Sequence, residues 1–467
     1  MAQARTAATA VAATRVQVIA PAQLGATAIA ALRARGIEAR AAETPNTDEV
    51  IAWALDGAPT GAAAVELGAA CARAAEAGRP VVLLAPSPRG TGRAAVERAA
   101  ALSYLRAHGA ALAHDVDAWL EAVVLLVRFG MPPGPRAAVV APEGSWLEAQ
   151  ALVLAADADL MGTRPPVIGG DEPTDVVLYD PALGAPRESM PGLHVPVVAR
   201  GELAGDAIVL YGARPALGAV AILGRAAERI AVGLGPAPRA ASAELGIDDE
   251  RLRRQLAKLG EGRLGDHETK VLLAAYGVPI TRQAVATTPS AAVKLARRAG
   301  YPVELKPWGH DLPTEPAGCP IERGVSSDAL VRHAFTAVLT AASKPTSEGA
   351  AVIVRETPPA GREVTVSLLE LPALGWTVVL DTPGAPQIAA APAPLRLIDA
   401  QNLARQVVAS RAGDPEPDRT GLANLLRRVS HLVVDLDGRI TRLDLPRVVV
   451  GGRGTRTLVV DAFAILR

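Results

Sequence analysis

Short apolar runs that recur between Ala-rich segments constrain this chain more than any other feature. Three of them are RVQVIA at Arg15–Ala20, VVLLA at Val81–Ala85 and AAVVA at Ala137–Ala141. A continuous apolar run of this length reads as a strand buried on both faces. Strands of that kind alternating with helices build a parallel sheet with helices on both sides. ATAIAALRARG at Ala26–Gly36 reads as an Ala-rich helix stopped by glycine, and Ile37–Arg40 as the next strand. Helices are expected at Asp48–Leu55, Val65–Ala77 and Ala94–Ala107, and through Trp119 to Phe129 after an opening at His114–Asp117. GMPPGP, from Gly130 to Pro135, is a linker by composition. The pattern then restarts as an apparent repeat, with a helix from Ser145 and runs at Asp175–Tyr179, His194–Val198 and Ala207–Leu210. The first unit is set at 14–131 and the second at 136–240.

From Asp248 the pattern changes. Asp248 reads as the N-cap of a helix with Leu252, Leu256 and Leu259 at helical spacing and Arg251, Arg253 and Arg254 on a solvated face. Asp266 reads as the cap of HETKVLLAAYG, with Glu268 in its first turn and Gly277 as its stop. Ser290–Gly300 follows as helix and Tyr301–Lys306 as strand. Beyond Glu363, extended segments alternate apolar and polar residues, and Gly451–Gly454 joins the last two as a hairpin turn. The third unit, 245–467, is thus an antiparallel α+β module.

Charge narrows the partners. Lys and Arg number 48 against 48 Asp and Glu, with no basic tract, which argues against nucleic acid and an anionic membrane surface. No run approaches the ~20 apolar residues of a membrane span. The N-terminal stretch lacks a Leu-rich centre and reads as a frayed terminus, not a signal peptide. Cys71 and Cys319 are the only cysteines, which leaves no disulfide framework and no Cys-rich metal site and fits a reducing, cytoplasmic compartment. Aromatic residues are 3% of the chain, so small aliphatic side chains must fill the cores. GxxxxGK[ST], GxSxG and zinc-type Cys/His spacings do not occur.

The start of the third unit carries a family resemblance. ETKVLLAAYGVPI at Glu268–Ile280, Ala291–Val293 and GYPVELK at Gly300–Lys306 resemble the ATP-grasp module of the NDP-forming acyl-CoA synthetases. These are ADP-forming acetate–CoA ligases, related to succinyl-CoA synthetase. Val352–Glu356, Gly361–Val364, Leu443–Leu445 and Val460–Ala462 extend the resemblance over most of 262–467. Gly78–Leu84, Leu105–Ala122 and Pro135–Val140 resemble that family's flavodoxin-like domains. The resemblance implies an α/β chain of two flavodoxin-like (succinyl-CoA synthetase-like) parallel-sheet domains followed by an ATP-grasp-like α+β module. It also implies a reaction that makes acyl-CoA from acid, CoA and ATP, with a phosphohistidine carrying the phosphoryl group. By the same resemblance Lys306 would reach the α/β-phosphates of ATP or ADP, Glu356 would sit at the hinge beside the adenosine, and Glu363, after a Gly-Arg that resembles the family's turn, would be a third cofactor-binding residue or a structural one. Asp444 would hold Mg²⁺, and Asp461 matches a last-strand Asp read as structural.

Several departures from the family pattern remove phosphate-handling groups. Pro446 stands two residues after Asp444, where the family has Asn. Ala391 stands ahead of Ala393-Pro394-Leu395 where the family has Arg. DTPGAP, from Asp381 to Pro386, replaces a glycine-rich loop. Leu312–Cys319 replaces a His-Lys-containing segment, with His310 nearby but out of register. The family's phosphohistidine loop should lie between Leu83 and Leu105; the chain reads Arg93–Tyr104 there with no His, so the loop reads as deleted. His108 and His114 fall where the family has no catalytic His and read as structural. No catalytic residue is therefore assigned. The family's N-terminal CoA-binding domain is not matched, so CoA is not expected to bind through a dedicated domain.

The expectation is an acetate–CoA ligase-like protein that is catalytically degenerate, with weak or lost binding of ATP or ADP and Mg²⁺. It would act as a nucleotide- or partner-binding scaffold, with a protein partner or a second copy of itself. One alternative is an active acyl-CoA synthetase whose phosphohistidine comes from a separate subunit. Another is a purely structural or assembly protein. A third is new chemistry in the loop Trp308–Cys319, which carries His310, Asp311, Glu315 and the prolines Pro307, Pro313, Pro316 and Pro320 in and around it.

Overall fold

The computed structural model describes residues 15–467 apart from 88–89, 91, 158–166, 169–173, 185, 187–189, 200–207, 240–243, 248, 310–318, 343–350, 383–387, 409–415 and 453. The chain divides into two compact units, one ending at Gly235 and the other running from Pro236 to Arg467.

In the first unit the apolar runs become β1 (Arg15–Ile19), β2 (Glu38–Ala41), β3 (Val50–Ala54), β4 (Val82–Leu84) and β5 (Ala111–Ala113). Helices α1 (Ala22–Arg33), α2 (Gly61–Glu76), α3 (Arg93–Ala107) and α4 (Val116–Phe129) alternate with them. The sheet is parallel, in the order β2-β1-β3-β4-β5. The helix expected at Asp48–Leu55 is in fact the central strand β3. VIAWA holds two β-branched residues and a Trp, which pack well on a pleated surface, and spacing alone does not separate a buried strand from a helical turn. Further on come β6 (Ala137–Val140), α5 (Trp146–Asp157), β7 (Val167–Ile168), β8 (Val176–Tyr179), β9 (Leu193–Val198), β10 (Leu210–Tyr211) and α6 (Ala213–Val232). They form a second parallel sheet, ordered β10-β9-β8-β6-β7.

Asp115 caps α4 through its Oδ1, which accepts from Ala118 N at 2.8 Å. Trp119, fully buried, donates from Nε1 to the Val82 carbonyl at 2.9 Å and fixes α4 on β4. One apolar cluster, with Val16, Trp119, Leu126, Val139, Leu178 and Val220, runs through both sheets. The GMPPGP segment therefore joins two sheets that share a core. On α6, Gly224 lies against the backbone of Gly134 and Pro135, where any side chain would collide.

The second unit contains α7 (Asp249–Leu256), β11 (Gly262–Leu264), α8 (Asp266–Ala275), β12 (Gln283–Ala286), α9 (Pro289–Ala299), β13 (Val303–Pro307) and β14 (Glu322–Val325). It continues with α10 (Asp328–Ala341), β15 (Val352–Glu356), β16 (Arg362–Leu371), β17 (Gly375–Asp381) and β18 (Ala389–Pro392). The chain ends with α11 (Leu397–Val407), α12 (Arg419–Asp435), β19 (Ile440–Val450) and β20 (Leu458–Leu466). An antiparallel sheet of four, β12-β15-β13-β14, packs under α9 and α10. An antiparallel sheet of six, β11-β20-β19-β16-β17-β18, forms a larger core with α8, α11 and α12.

Asp266 is not the cap of α8. Gly265 holds that position and Asp266 is the first helical residue. Its carboxylate turns inward, accepting from the amide of Ala462 at 2.9 Å and from Gln283 Nε2 at 3.0 Å. The proposed cap Asp248 lies outside the described residues. Among the described residues no helix is long and apolar enough to cross a membrane.

Candidate functional site

The strand periodicity of two places Glu304 and Lys306 on the same face of β13. In the antiparallel register Arg355 of β15 lies opposite Glu304, and Gln283 of β12 lies opposite Arg355. Helix α8 brings Asp266 and, one turn later, Lys270 to that face, and β20 brings Asp461.

These residues form one buried ion network. Lys306 Nζ is 2.7 Å from Asp461 Oδ1 and 2.9 Å from Asp266 Oδ2. Arg355 Nη1 is 2.7 Å from the same Asp461 oxygen, and its Nε donates to Glu304 Oε2 at 2.8 Å. Lys270 Nζ donates to Thr281 Oγ1 at 2.9 Å, to Gln283 Oε1 at 2.7 Å and to the Val460 carbonyl, and lies 3.3 Å from Asp266. Three cations thus face three carboxylates, and no side chain among the six is more than 5% exposed. Burial by itself raises the Asp266 carboxyl, but Lys270, Lys306 and Arg355 outweigh it and hold the group well below the usual carboxylate range. The same contest, against Lys306 and Arg355, holds Asp461 down. Burial pushes the Lys270 ammonium down to about 7, against the opposing pull of Asp266.

The other three residues singled out by sequence lie apart from this network. Glu356, at the end of β15, takes Arg282 through the backbone N at 2.8 Å and through Nε at 2.6 Å. Glu363, on β16, pairs with Arg447 at 2.7 Å. Asp444, on β19, is bound by its neighbour Arg442. Each of the four, Lys306 included, therefore meets opposite charge supplied by this chain. The donor set does not suit Mg²⁺: the Asp444 carboxylate is on a guanidinium, and Pro446 supplies no side-chain oxygen. Among the described residues no three of His, Cys, Asp and Glu gather in a metal-holding group. Pro446 sits where the β19 ladders shift register, a place that tolerates a missing N–H.

The segment Arg93–Tyr104 is part of α3, and Ala391 is buried in β18. His310, Asp311, Glu315 and residues 383–387 lie outside the described residues. Trp308 donates from Nε1 to Glu268 Oε1 at 2.9 Å. Cys319 is buried and its thiol is pushed up by that burial. His108 and His114 bond to main-chain carbonyls, of Tyr104 and Ala85, each at 2.8 Å, and burial pushes both imidazoles down.

Sequence reading missed Asp266, Lys270, Glu304 and Arg355 as a group. Two of them carried a signal: Glu304 in YPVELK and Arg355 in VIVRE are charges inside otherwise apolar strand runs, and buried charges require partners.

Two antiparallel sheets with this charged seam are the setting for the comparisons. Residues 255–466 match the model of the ATP-grasp domain family, and that part of the chain is an ATP-grasp domain. The beta subunit of acetate–CoA ligase (ADP-forming) II of Pyrococcus furiosus is 27% identical over 223 residues, 45% of this chain and 94% of that subunit. The beta subunit of acetate–CoA ligase (ADP-forming) I of the same organism is 26% identical over 192 residues, 38% of this chain and 83% of that subunit. The segment is thus homologous to beta subunits of ADP-forming acyl-CoA ligases, as its motifs led one to expect. A solved structure of the dinucleotide-forming acetyl-coenzyme A synthetase 1 of Ca. Korarchaeum cryptofilum, in complex with coenzyme A and Ca-AMPCP, is 25% identical, covering 46% of this chain and 98% of that chain at a TM-score of 0.41.

Proposed function

We propose that this chain is an acyl-CoA ligase-type scaffold that no longer transfers phosphoryl groups and works by holding a partner protein. The observation that carries this reading is the internal neutralisation of Lys306, which two buried carboxylates hold at 2.7 and 2.9 Å. An ammonium so placed offers a triphosphate no free charge. The arginine pairs on Glu356, Glu363 and Asp444 support the same reading. In this reading 14–131 and 136–240 are flavodoxin-like domains, 245–467 is the scaffold's ATP-grasp module, and the protein works in the cytoplasm.

A second reading has one specific support: the relatives are named as subunits, so their enzymes are assembled from more than one chain. An active ligase completed by a separate subunit would bring its own phosphohistidine. The test is incubation of the purified chain with labelled ATP, Mg²⁺, acetate and CoA, alone and with proteins co-purified from the native host. The scaffold reading expects neither acyl-CoA nor an acid-labile phosphoprotein in any mixture. Turnover that requires this chain overturns it. Thermal unfolding with Mg-ATP, for the wild type and Lys306→Ala, expects no nucleotide-dependent shift in either protein.

A further inference from the structure

This chain draws almost all of its positive charge from arginine. Of its 48 basic residues five are lysines, at positions 258, 270, 294, 306 and 344, and two of the five, Lys270 and Lys306, sit in the buried network. A guanidinium keeps its proton in any protein setting, whereas a buried ammonium can give it up. Geometry separates the two lysines. Lys306 has carboxylate oxygens at 2.7 and 2.9 Å, and Arg355 shares Asp461 at 2.7 Å and holds Glu304 at 2.8 Å. Lys270 meets Asp266 Oδ2 at 3.3 Å, and that oxygen stands nearer to Lys306. The closer partners of Lys270 are neutral oxygens: Gln283 Oε1 at 2.7 Å, Thr281 Oγ1 at 2.9 Å and the Val460 carbonyl. The charges facing it are Asp266 on its own helix α8, Lys306 from β13, Arg355 from β15 and Asp461 from β20. Two of each sign oppose one another, and burial decides in favour of the neutral amine.

These partners suit both charge states. The ammonium has three N–H donors for three oxygens. The amine keeps two, for the Gln283 and Val460 carbonyl oxygens, and its lone pair accepts the hydrogen of the Thr281 hydroxyl, which donates to no other group among the described residues. Gln283 is fixed in this orientation because its Nε2 donates to Asp266 Oδ2 at 3.0 Å. The partners also lie on both sides of the seam. Helix α8 and β20 belong to the core of the six-stranded sheet, and Gln283 opens β12 of the four-stranded one. Thr281 leads into β12, and its amide donates to the Val459 carbonyl of β20 at 3.1 Å. We propose that Lys270 is a proton-operated latch between the two sheets, which closes on loss of its ammonium proton and takes one up from solvent when the seam opens. Opened to water, the group returns to the ordinary 10.5, whereas the closed seam holds it at about 7. Between those values opening binds a proton, so it becomes about tenfold easier for each unit that the pH falls, and below about 7 it changes no further. The latch does not rest on the scaffold reading: any occupant that must part the sheets to reach Lys306, nucleotide or protein, is favoured near neutral pH over alkali.

The test is hydrogen exchange of the full chain without denaturant, followed by NMR and expressed as protection factors, which removes the intrinsic pH dependence of exchange. The Thr281 amide reports the seam, and the β17 amides report global unfolding. Thr281 should be less protected than β17, and its protection should fall about tenfold per unit as the pH is lowered from about 9 to about 7.5. In Lys270→Met that slope should vanish. A second readout uses the wild type alone and decides the matter if the variant does not fold: in a chain labelled with ¹³C at lysine Cε, the Lys270 signal should titrate at least about two units below the ordinary lysine value. The proposal is overturned if Thr281 exchanges only with β17, which would confine proton uptake to global unfolding. It is equally overturned by a Thr281 protection that pH does not move, by a slope that persists in folded Lys270→Met, or by a Lys270 signal that titrates at the ordinary value.

Discussion

Replacing Asp461 by Asn tests the charge balance of the buried network while keeping its shape. The Asp461 Oδ1 atom receives Lys306 and Arg355, each at 2.7 Å. The amide leaves three cations facing two carboxylates. Removing one partner of a buried pair costs about 3–5 kcal/mol, because the other charge stays in low dielectric. Lys306 keeps Asp266 at 2.9 Å and Arg355 keeps Glu304 at 2.8 Å, which places the loss at the lower end, about 3 kcal/mol. Hydrogen exchange of the β13 and β15 amides reads this unit alone, and about 3 kcal/mol appears there as exchange more than ~100-fold faster under conditions where global opening governs it. Lys306→Met alone leaves three carboxylates facing two cations and should cost a similar amount. The double variant restores the balance at two against two and should recover at least about 1 kcal/mol relative to the sum of the singles. A loss below about 1 kcal/mol for Asp461→Asn, or strictly additive singles, would refute the argument that Lys306 is held by the network.

Lys270 has its proton held to about 10.5 when unfolded but only to about 7 when folded, so the unfolded chain binds more protons between these values. Stability of the second unit should therefore rise with pH across that window, by at most about 1.4 kcal/mol per unit, and Lys270→Met should abolish the rise in urea titrations. His431 is fully buried on α12 and neither ring nitrogen finds a hydrogen-bond partner, so His431→Leu should be neutral or stabilising by about 1 kcal/mol. Burial lowers its imidazole below 6.5, so the wild type loses stability as pH falls through that value and the Leu variant should lose less. Gly224→Ala places a methyl against the backbone of Gly134 and Pro135, and a loss of about 2 kcal/mol or more is expected in thermal unfolding of the first unit.

How far the sequence foretold these features depended on how local the cause was. RVQVIA, VVLLA and AAVVA declared themselves because a strand buried on both faces needs nothing but its own composition. VIAWA has the same chemistry, but acidic Asp48 and Glu49 before it resemble a helix start, and only the neighbours β1 and β4 decide the outcome. β5 is three residues of Ala and Leu, too short for any period to show. Asp266 was misread for the same reason. An acid at the start of a helix satisfies a capping rule locally, and its true partners, Lys306 and the Ala462 amide, are 40 and 196 residues away. Lys306 was recognisable through YPVELK. Its pairing was not, because Asp461 reaches it from the other end of the domain.

The network also sets the scale of nucleotide affinity. For Lys306 to meet a phosphate it must leave Asp461 and Asp266. What stays behind is Lys270 and Arg355 against three carboxylates, an uncompensated negative charge in a region almost closed to water. That imbalance costs about 3–5 kcal/mol. A site of about 1 μM corresponds to about −8.2 kcal/mol, and subtracting about 4 leaves about −4, close to 1 mM. The network alone thus carries a micromolar site to the millimolar range before Ala391 and Pro446 remove any further contact. A micromolar Kd for Mg-ATP measured on the isolated chain would mean that the network opens at little cost. In that case Lys306→Ala should weaken binding sharply, and the phosphate-handling reading of Lys306 would replace the structural one.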